Sequence, residues 1–243
     1  MLPPQSTLYL RSIALRRDEV RSFDEYPFSL PVVRTLDEIE LRAPVTFLVG
    51  ENGSGKSTLL EAVASSFGFN PEGGSRNMMF ATRPSESGLH AYLQLVRGHK
   101  RPGDGFFLRA ESFFNVATEV DRLEATSWYG GKSLHEQSHG ESFLAVFLDR
   151  FYGGGFYILD EPEAALSPSR QLSVLTRMHD LVSQQSQFLI ATHSPILMGY
   201  PGADILLLDE DGIRRVEYEE TEHYFITREF LQNRERMLRE LFT

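Results

Sequence analysis

The chain reads as an α/β protein built on a mostly parallel sheet, and three features of its 243 residues predict this. Short apolar runs in "PVTFLVG" (44–50), "FYILDEP" (156–162) and "QFLIATHSP" (187–195) have the length of buried strands. Each ends in a glycine, charged or polar group, and stretches with helical apolar spacing lie between them. The alternation implies parallel strands joined by helices, with ligands gathered beyond the carboxyl ends of the strands.

Along the chain, "LYLRSIAL" (8–15) alternates as a strand, and "YPFSLPVV" (26–33) suggests a second one broken by prolines. The strand 44–50 then enters a glycine-rich loop. From Ser57 to Phe67 the apolar positions Leu59, Leu60, Val63 and Ala64 predict a helix. Residues 69–80, "FNPEGGSRNMMF", are loop-like. Two strands, "LHAYLQLVRG" (89–98) and "GFFLRAESFF" (105–114), flank the loop "GHKRPGD", and "FNVATEVDRLEA" (114–125) predicts a helix. A polar, glycine-bearing stretch at 129–142 leads into helical spacing at 141–152. Residues 167–185 form an amphipathic helix capped by Ser167 or Ser169. A hairpin follows at 204–218 with Asp211-Gly212 at its turn, and residues 227–242 close as a helix capped by Thr227.

Composition sets the bounds. With 41% hydrophobic and 24% charged residues, a packed core is expected. The absence of cysteine excludes disulfides and thiolate metal sites, and with no signal-peptide pattern it favours the cytoplasm. No apolar run approaches the roughly 18 residues that span a bilayer, so direct membrane insertion is not expected. A net charge of −10 argues against a large nucleic-acid footprint. The local basic groups Arg11, Arg16, Arg17 and Arg21, and "RGHKR" at 97–101, read either as local nucleic-acid contacts or as solvated faces or loops.

The chemistry is concentrated in four places. Gly50-Glu51-Asn52-Gly53-Ser54-Gly55-Lys56-Ser57, followed by Thr58, fits G-x-x-x-x-G-K-[ST] between a strand and a helix. Its glycines let backbone N–H groups turn onto phosphate oxygens, and the helix points its positive end the same way. Lys56 is placed for the β- and γ-phosphates of a nucleoside triphosphate, and Ser57 for Mg²⁺. Asp160 emerges at the end of the strand 156–159, where it can hold Mg²⁺. The adjacent Glu161 is suited to orient or deprotonate an attacking water. His193, just past another buried strand, is suited to hydrogen-bond the γ-phosphate or that water. Finally, "QSHGES" (137–142) sets Ser138 and Gly140 ahead of a helix, a second anion-binding turn. A capped helix start accounts for the same residues. A P-loop and a second phosphate turn in one chain fit a head-to-tail dimer, each nucleotide held by the loop of one chain and the serine turn of the other.

In order and spacing these elements resemble the ATP-binding-cassette (ABC) ATPases. The resemblance covers about residues 9–210. It implies a P-loop NTPase fold: an ABC-ATPase head with a mostly parallel core sheet, an N-terminal antiparallel part and a helical insertion. One domain over 1–243 is expected, with the helical region at about 113–155 between the 1–112 and 156–243 portions. GENGSGKS then looks like Walker A and "FYILDEP" like Walker B with Glu161 as base. "SHGE" looks like the signature motif, adding Glu141 to the nucleotide contacts, although His139 and Glu141 stand where Gly and Gln are usual. "AALS" (164–167) looks like the D-loop and His193 like the switch histidine. Glu111 stands where transporter cassettes carry a metal-contacting Gln. "DEPEAALSP" and "ATHSP" are similar to the soluble RecF, SMC, Rad50 and overcoming-lysogenization group, in the manner of a stand-alone bacterial head. ATP, Mg²⁺, an ATP-dependent homodimer and a DNA or protein partner are what this implies; the alternative is the detached motor of a transporter. Tyr26 and Phe28 read either as adenine-stacking or as core aromatics, Glu163 as the start of a helix, and His223-Tyr224 as core or cap.

Overall fold

The computed structural model describes residues 8–76, 87–129 and 131–243. Its strands are β1 (Leu10–Leu15), β2 (Glu38–Glu40), β3 (Val45–Val49), β4 (Leu93–Arg97), β5 (Asp104–Arg109), β6 (Gly155–Asp160), β7 (Gln187–Ala191), β8 (Asp204–Asp209) and β9 (Gly212–Arg215). The α-helices are α1 (Pro31–Arg34), α2 (Lys56–Phe67), α3 (Phe113–Arg122), α4 (His139–Ala145), α5 (Pro168–Ser183), α6 (Pro195–Met198) and α7 (Glu222–Leu241). A π-helical turn, Val146–Arg150, continues α4.

Two sheets result. The larger runs β5-β6-β7-β3-β8-β9, parallel except for the β8–β9 hairpin; the smaller, antiparallel one runs β2-β1-β4. The central strands β3, β6 and β7 are buried along their whole length because both faces of the large sheet are covered. On one face Leu48, Ile158 and Leu189 pack under Leu59, Leu60 and Val63 of α2 and meet the small sheet through Leu10 and Ile13. On the other, Phe47, Tyr157 and Phe188 pack with Phe147, Phe151, Val174 and Met178. Gln187 fastens the two sheets: its side chain accepts from the Tyr9 and Leu10 amides and donates to the Leu10 carbonyl.

Four local expectations are corrected. Residues 26–33 form a turn and α1 rather than a strand: Pro31 takes the first helical position, where its missing N–H costs nothing, and Val32 and Val33 are fully buried. In "LHAYLQLVRG" a single 3₁₀ turn (Leu89–Tyr92) precedes a strand of only Leu93–Arg97. That strand and β5 enter different sheets, because β5 is buried on both faces whereas β4 is half open. The closing helix begins at Glu222, with Thr221 at its N-cap position, so Thr227 lies inside the helix. The hairpin turn falls at Glu210-Asp211, and Gly212, at φ 118°, is the first residue of β9. Ser167 is the cap of α5, accepting from the Arg170 amide at 3.5 Å. Of the loop expected at 69–80, residues 77–80 lie outside the described residues.

Candidate functional site

The phosphate loop links the end of β3 to the start of α2. Gly50 (φ 147°) and Gly55 (φ 98°) adopt backbone conformations that side chains resist. A Cβ on Gly50 would lie 2.2 Å from the Leu208 carbonyl oxygen, and one on Gly55 would lie 2.5 Å from Val32 Cγ1. Glycine is therefore demanded twice by packing as well as by φ. Lys56 is drawn inward and buried, donating to the carbonyls of Gly50 and Glu51, both at 2.8 Å. Its ammonium has three N–H groups, so a third is left for an anion. Burial lowers the Lys56 pKa, while Glu161, Asp160 and Glu163 pull it back up. Ser54 Oγ is buried without a hydrogen-bond partner. Thr58 Oγ1 lies 3.3 Å from the hydroxyl of the exposed Tyr26. Phe28 instead packs edge-on against Tyr92 at 4.9 Å, as a core aromatic.

Register brings the acidic residues to this loop. Along the β5–β6 pair, Arg109 lies opposite Asp160; along β6–β7, Asp160 lies opposite Ala191. Asp160 Oδ1 accepts from Ser57 Oγ at 3.0 Å. Burial pushes the Asp160 pKa up to about 6 against the opposing pull of Arg109 and Ser57, and Glu161 and Glu111 raise it further. The Arg109 guanidinium spans three carboxylates. It bonds Glu61 at 2.8 Å, meets Glu111 at 3.3 Å, and its Nε lies 3.4 Å from Asp160 Oδ2, close enough to pair but not aligned to hydrogen-bond. Glu111 thus lies on the cleft with Ser57, Asp160 and Glu161, but its carboxylate leans on Arg109.

Glu161 adopts φ 50°, ψ 51°, a left-handed conformation unusual for a side-chain-bearing residue. Such strain clusters where a side chain must be aimed. Its carboxylate Oε1 lies 3.6 Å from His193 Nε2. Two residues on, Glu163 holds the strand end after β7: it accepts from Thr192 Oγ1 at 2.7 Å and from the His193 amide at 2.6 Å. Burial raises the Glu163 pKa, and those two hydrogen bonds resist the shift. His193 Nδ1 lies 2.9 Å from Nε2 of His223, in the first turn of α7. Burial lowers the pKa of both rings, and Lys56 adds to it in both.

The segment 137–142 is built differently. Ser138 caps α4: its amide and hydroxyl both donate to Glu141 Oε2, at 3.0 and 2.5 Å. Glu141 is committed to that capping box, and its other oxygen lies 3.6 Å from Arg170. Gly140 is pressed between helices, where a Cβ would come within 2.2 Å of Arg170 Nη1 and 2.7 Å of the Ala165 carbonyl. The two clefts that contain Ser57 and Glu161 are lined by residues of the P-loop, Tyr26, Leu30, Arg109 to Glu111, Asp160 and Ala164-Ala165, not by 138–141.

The structure therefore sets Asn52, Gly53, Ser57, Glu111, Asp160 and Glu161 on one cleft, Gly55, Lys56 and Thr58 on an adjoining one that shares Ser57 and Glu161, and Gly50, Glu51 and Ser54 on a third. His193 faces Glu161, and Ser138, Gly140 and Glu141 line none of these clefts. Sequence reading missed Arg109, Glu61, the bridging of Glu163 and the pairing of His223. Nothing in "FLRAE" distinguishes Arg109 from any strand-end arginine, since its partner Asp160 is 51 positions away and found only through sheet register.

A parallel sheet whose inner strand feeds a glycine-rich lysine loop, with an acidic strand end two strands over, defines the P-loop NTPase fold. Comparison with known proteins narrows the class. A family model described as an AAA domain matches residues 19–97. An uncharacterized ABC transporter ATP-binding protein of Haemophilus influenzae is 26% identical over 184 residues, covering 67% of this chain and 69% of that protein. The ABC transporter G family member STR2 of Medicago truncatula is 25% identical over 172 residues, 62% of this chain but only 24% of that protein. Among solved structures, cbiO1 from Clostridium perfringens, part of the ABC transporter complex cbiONQ, matches with a TM-score of 0.51 at 16% identity, covering 94% of this chain and 97% of that chain. The last is a likeness of fold. Together the similarities support an ABC-type ATPase. Among the described residues, no helix is long and apolar enough to cross a membrane.

Proposed function

We propose that the chain is a Mg²⁺-dependent ATP hydrolase of the cassette type, working as a head-to-tail dimer in which nucleotide acts as the clamp. The observation that carries this is the placing of the paired Ser57 and Asp160 with Glu161 on one cleft, of Lys56 on the adjoining cleft that shares Ser57 and Glu161, and of His193 facing Glu161. The residues fit the ligand. Ser54 Oγ and His193 Nε2 are buried polar atoms without partners beside the loop, and the start of the 12-residue α2 favours an anion. Ser57 and Asp160 fit Mg²⁺, which uses one or two carboxylates together with substrate phosphates; among the described residues no larger cage of His, Asp or Glu forms. When bound there, the metal would neutralise and orient the phosphates.

The chain supplies the rest. Loop N–H groups and Lys56 bind the β- and γ-phosphates, and Tyr26, exposed beside Thr58, offers its ring to the base. Glu161 takes a proton from water as the water oxygen bonds the terminal phosphorus and the bond to the ADP oxygen breaks. Ser138 and Gly140 do not line the clefts beside their own loop and are offered to the nucleotide of a second copy. Loss of the γ-phosphate contact on hydrolysis then lets the copies part.

Glu161→Gln keeps the shape and removes the base. ATP turnover should fall roughly 100- to 10,000-fold while ATP binding persists, and sizing with ATP should show a trapped dimer. Parental turnover in that variant would remove Glu161 from the role. The names of the matched relatives support a second reading, the motor of a membrane transporter. Co-purification of the Glu161→Gln protein with an integral membrane protein would favour it. ATP-dependent, salt-sensitive retention on DNA would favour a DNA clamp.

A further inference from the structure

We propose that His223 is a positioning residue for His193: donating from its Nε2 to His193 Nδ1, it fixes the His193 imidazole as the Nε2–H form and aims that proton at Glu161 and the phosphate cleft. This rests on the ATP-hydrolase reading for its catalytic consequence, but the ring geometry stands apart from it. His193 has its backbone pinned by Glu163, which accepts from the His193 amide at 2.6 Å, but the imidazole turns on bonds that this contact does not restrain. The ring is tied instead by the 2.9 Å contact between its Nδ1 and His223 Nε2. Two neutral imidazoles at that separation share one proton: one ring donates and the other accepts.

Which ring donates follows from the far side. His193 Nε2 is buried, has no hydrogen-bond partner, and lies 3.6 Å from Glu161 Oε1. A carboxylate accepts and does not donate, so the stable arrangement puts the proton of His193 on Nε2. Nδ1 is then a bare acceptor, and His223 is the donor. The same arrangement serves catalysis, because a terminal phosphate oxygen also accepts.

The surroundings keep the pair neutral. His223 is the second residue of α7, where the positive end of the helix disfavours an imidazolium. Burial disfavours charge on both rings, His193 adds to it at His223 and Lys56 at both, opposed by Glu161 at His193 and by Glu222 and Glu163 at His223. The rings lie 5.0 Å apart at 56°, so the contact is a hydrogen bond at an angle rather than a stack.

The test uses the full chain labelled with ¹⁵N-histidine, the His193 signals being assigned by their loss in His193→Gln. In the parent, long-range ¹H–¹⁵N spectra without nucleotide should show His193 as one neutral form, protonated on Nε2 with Nδ1 accepting. His223→Phe should release the ring, so that its two nitrogens average between forms. His223→Gln, whose amide can donate from a similar place, should restore the parental pattern. For ATP turnover, His223→Phe should lower kcat roughly tenfold or more with KM changed less than about twofold, and His223→Gln should recover most of it. The proposal is overturned by the Nδ1–H form in the parent, by an unchanged His193 spectrum in His223→Phe, or by a turnover loss that Gln does not rescue. Failure of the hydrolase reading would look different: a parent without ATP turnover whose spectra still respond to His223.

Discussion

Arg109 decides how three carboxylates coexist beside the phosphate loop. Glu61 and Asp160 are both buried, and the same guanidinium faces each of them. Arg109→Leu removes that shared cation from the interior, a class of change that costs about 3–5 kcal/mol. The pH dependence has a definite sign. A carboxyl whose folded pKa is raised, here Asp160 at about 6 against an ordinary 3.8, is favoured by the fold in its protonated form. Its charged form is a cost that grows as pH rises through the folded value. Losing Arg109 pushes that value higher. Urea unfolding should therefore show a larger deficit for Arg109→Leu at pH 8 than at pH 5, and an equal deficit at both would mean that the arginine acts by packing alone. At this scale the sequence was legible where function follows from neighbours in the chain. Gly50 to Ser57 and Asp160-Glu161 are local words, readable because loop, lysine and hydroxyl must be contiguous to surround a phosphate. Arg109, Glu163 and His223 could not be read, because each acts on a partner brought near by sheet register or helix docking.

Among the elements, the four-residue α6 is the clearest case of a small piece held by polar contacts. Ser194 accepts from the Ile196 and Leu197 amides and donates to the buried Gln171 at 2.5 Å. The turn it closes carries His193. Ser194→Ala should lower stability by about 0.5–2 kcal/mol for the lost cap, more if Gln171 finds no other partner. Chemical denaturation checks the size, and a change below about 0.3 kcal/mol would mean that Pro195 alone sets the helix start. Elements were read well from sequence when buried on both faces, as β3, β6 and β7 were, since an apolar run of that length has few alternatives. They were misread where tertiary context overrode pattern. The two prolines at 27 and 31 suggested a broken strand, but Pro31 opens α1 so that Val32 can pack on Gly55. Thr227 resembles a cap, yet the helix starts five residues before it, at Glu222, with Thr221 at the N-cap position.

Across the whole molecule, the proposed dimer turns on Ser138 and Gly140 meeting the phosphates of a second copy. They are rigidly built, with Ser138 locked to Glu141 and Gly140 wedged against Arg170 and Ala165, and they do not line the clefts beside their own Lys56. The proposed head-to-tail arrangement would bring them to the loop of a second copy, and this makes a prediction that no single-chain site shares. Lys56→Ala disables the loop of one chain, and Ser138→Arg the serine turn. Each variant alone should be inactive, because neither can form an intact composite site. In a mixed dimer both defects fall in the same composite site, and the other site joins an intact Lys56 to an intact Ser138. Equal mixing should therefore recover activity from two inactive proteins, up to about a quarter of the parental rate if copies pair at random and sites act independently. Turnover measured against mixing ratio should peak near equal amounts and vanish at either end. If the mixture stays as inactive as its components while sizing with ATP shows mixed dimers, each nucleotide is served by one chain, and the turn at 137–142 is only the capped start of a helix.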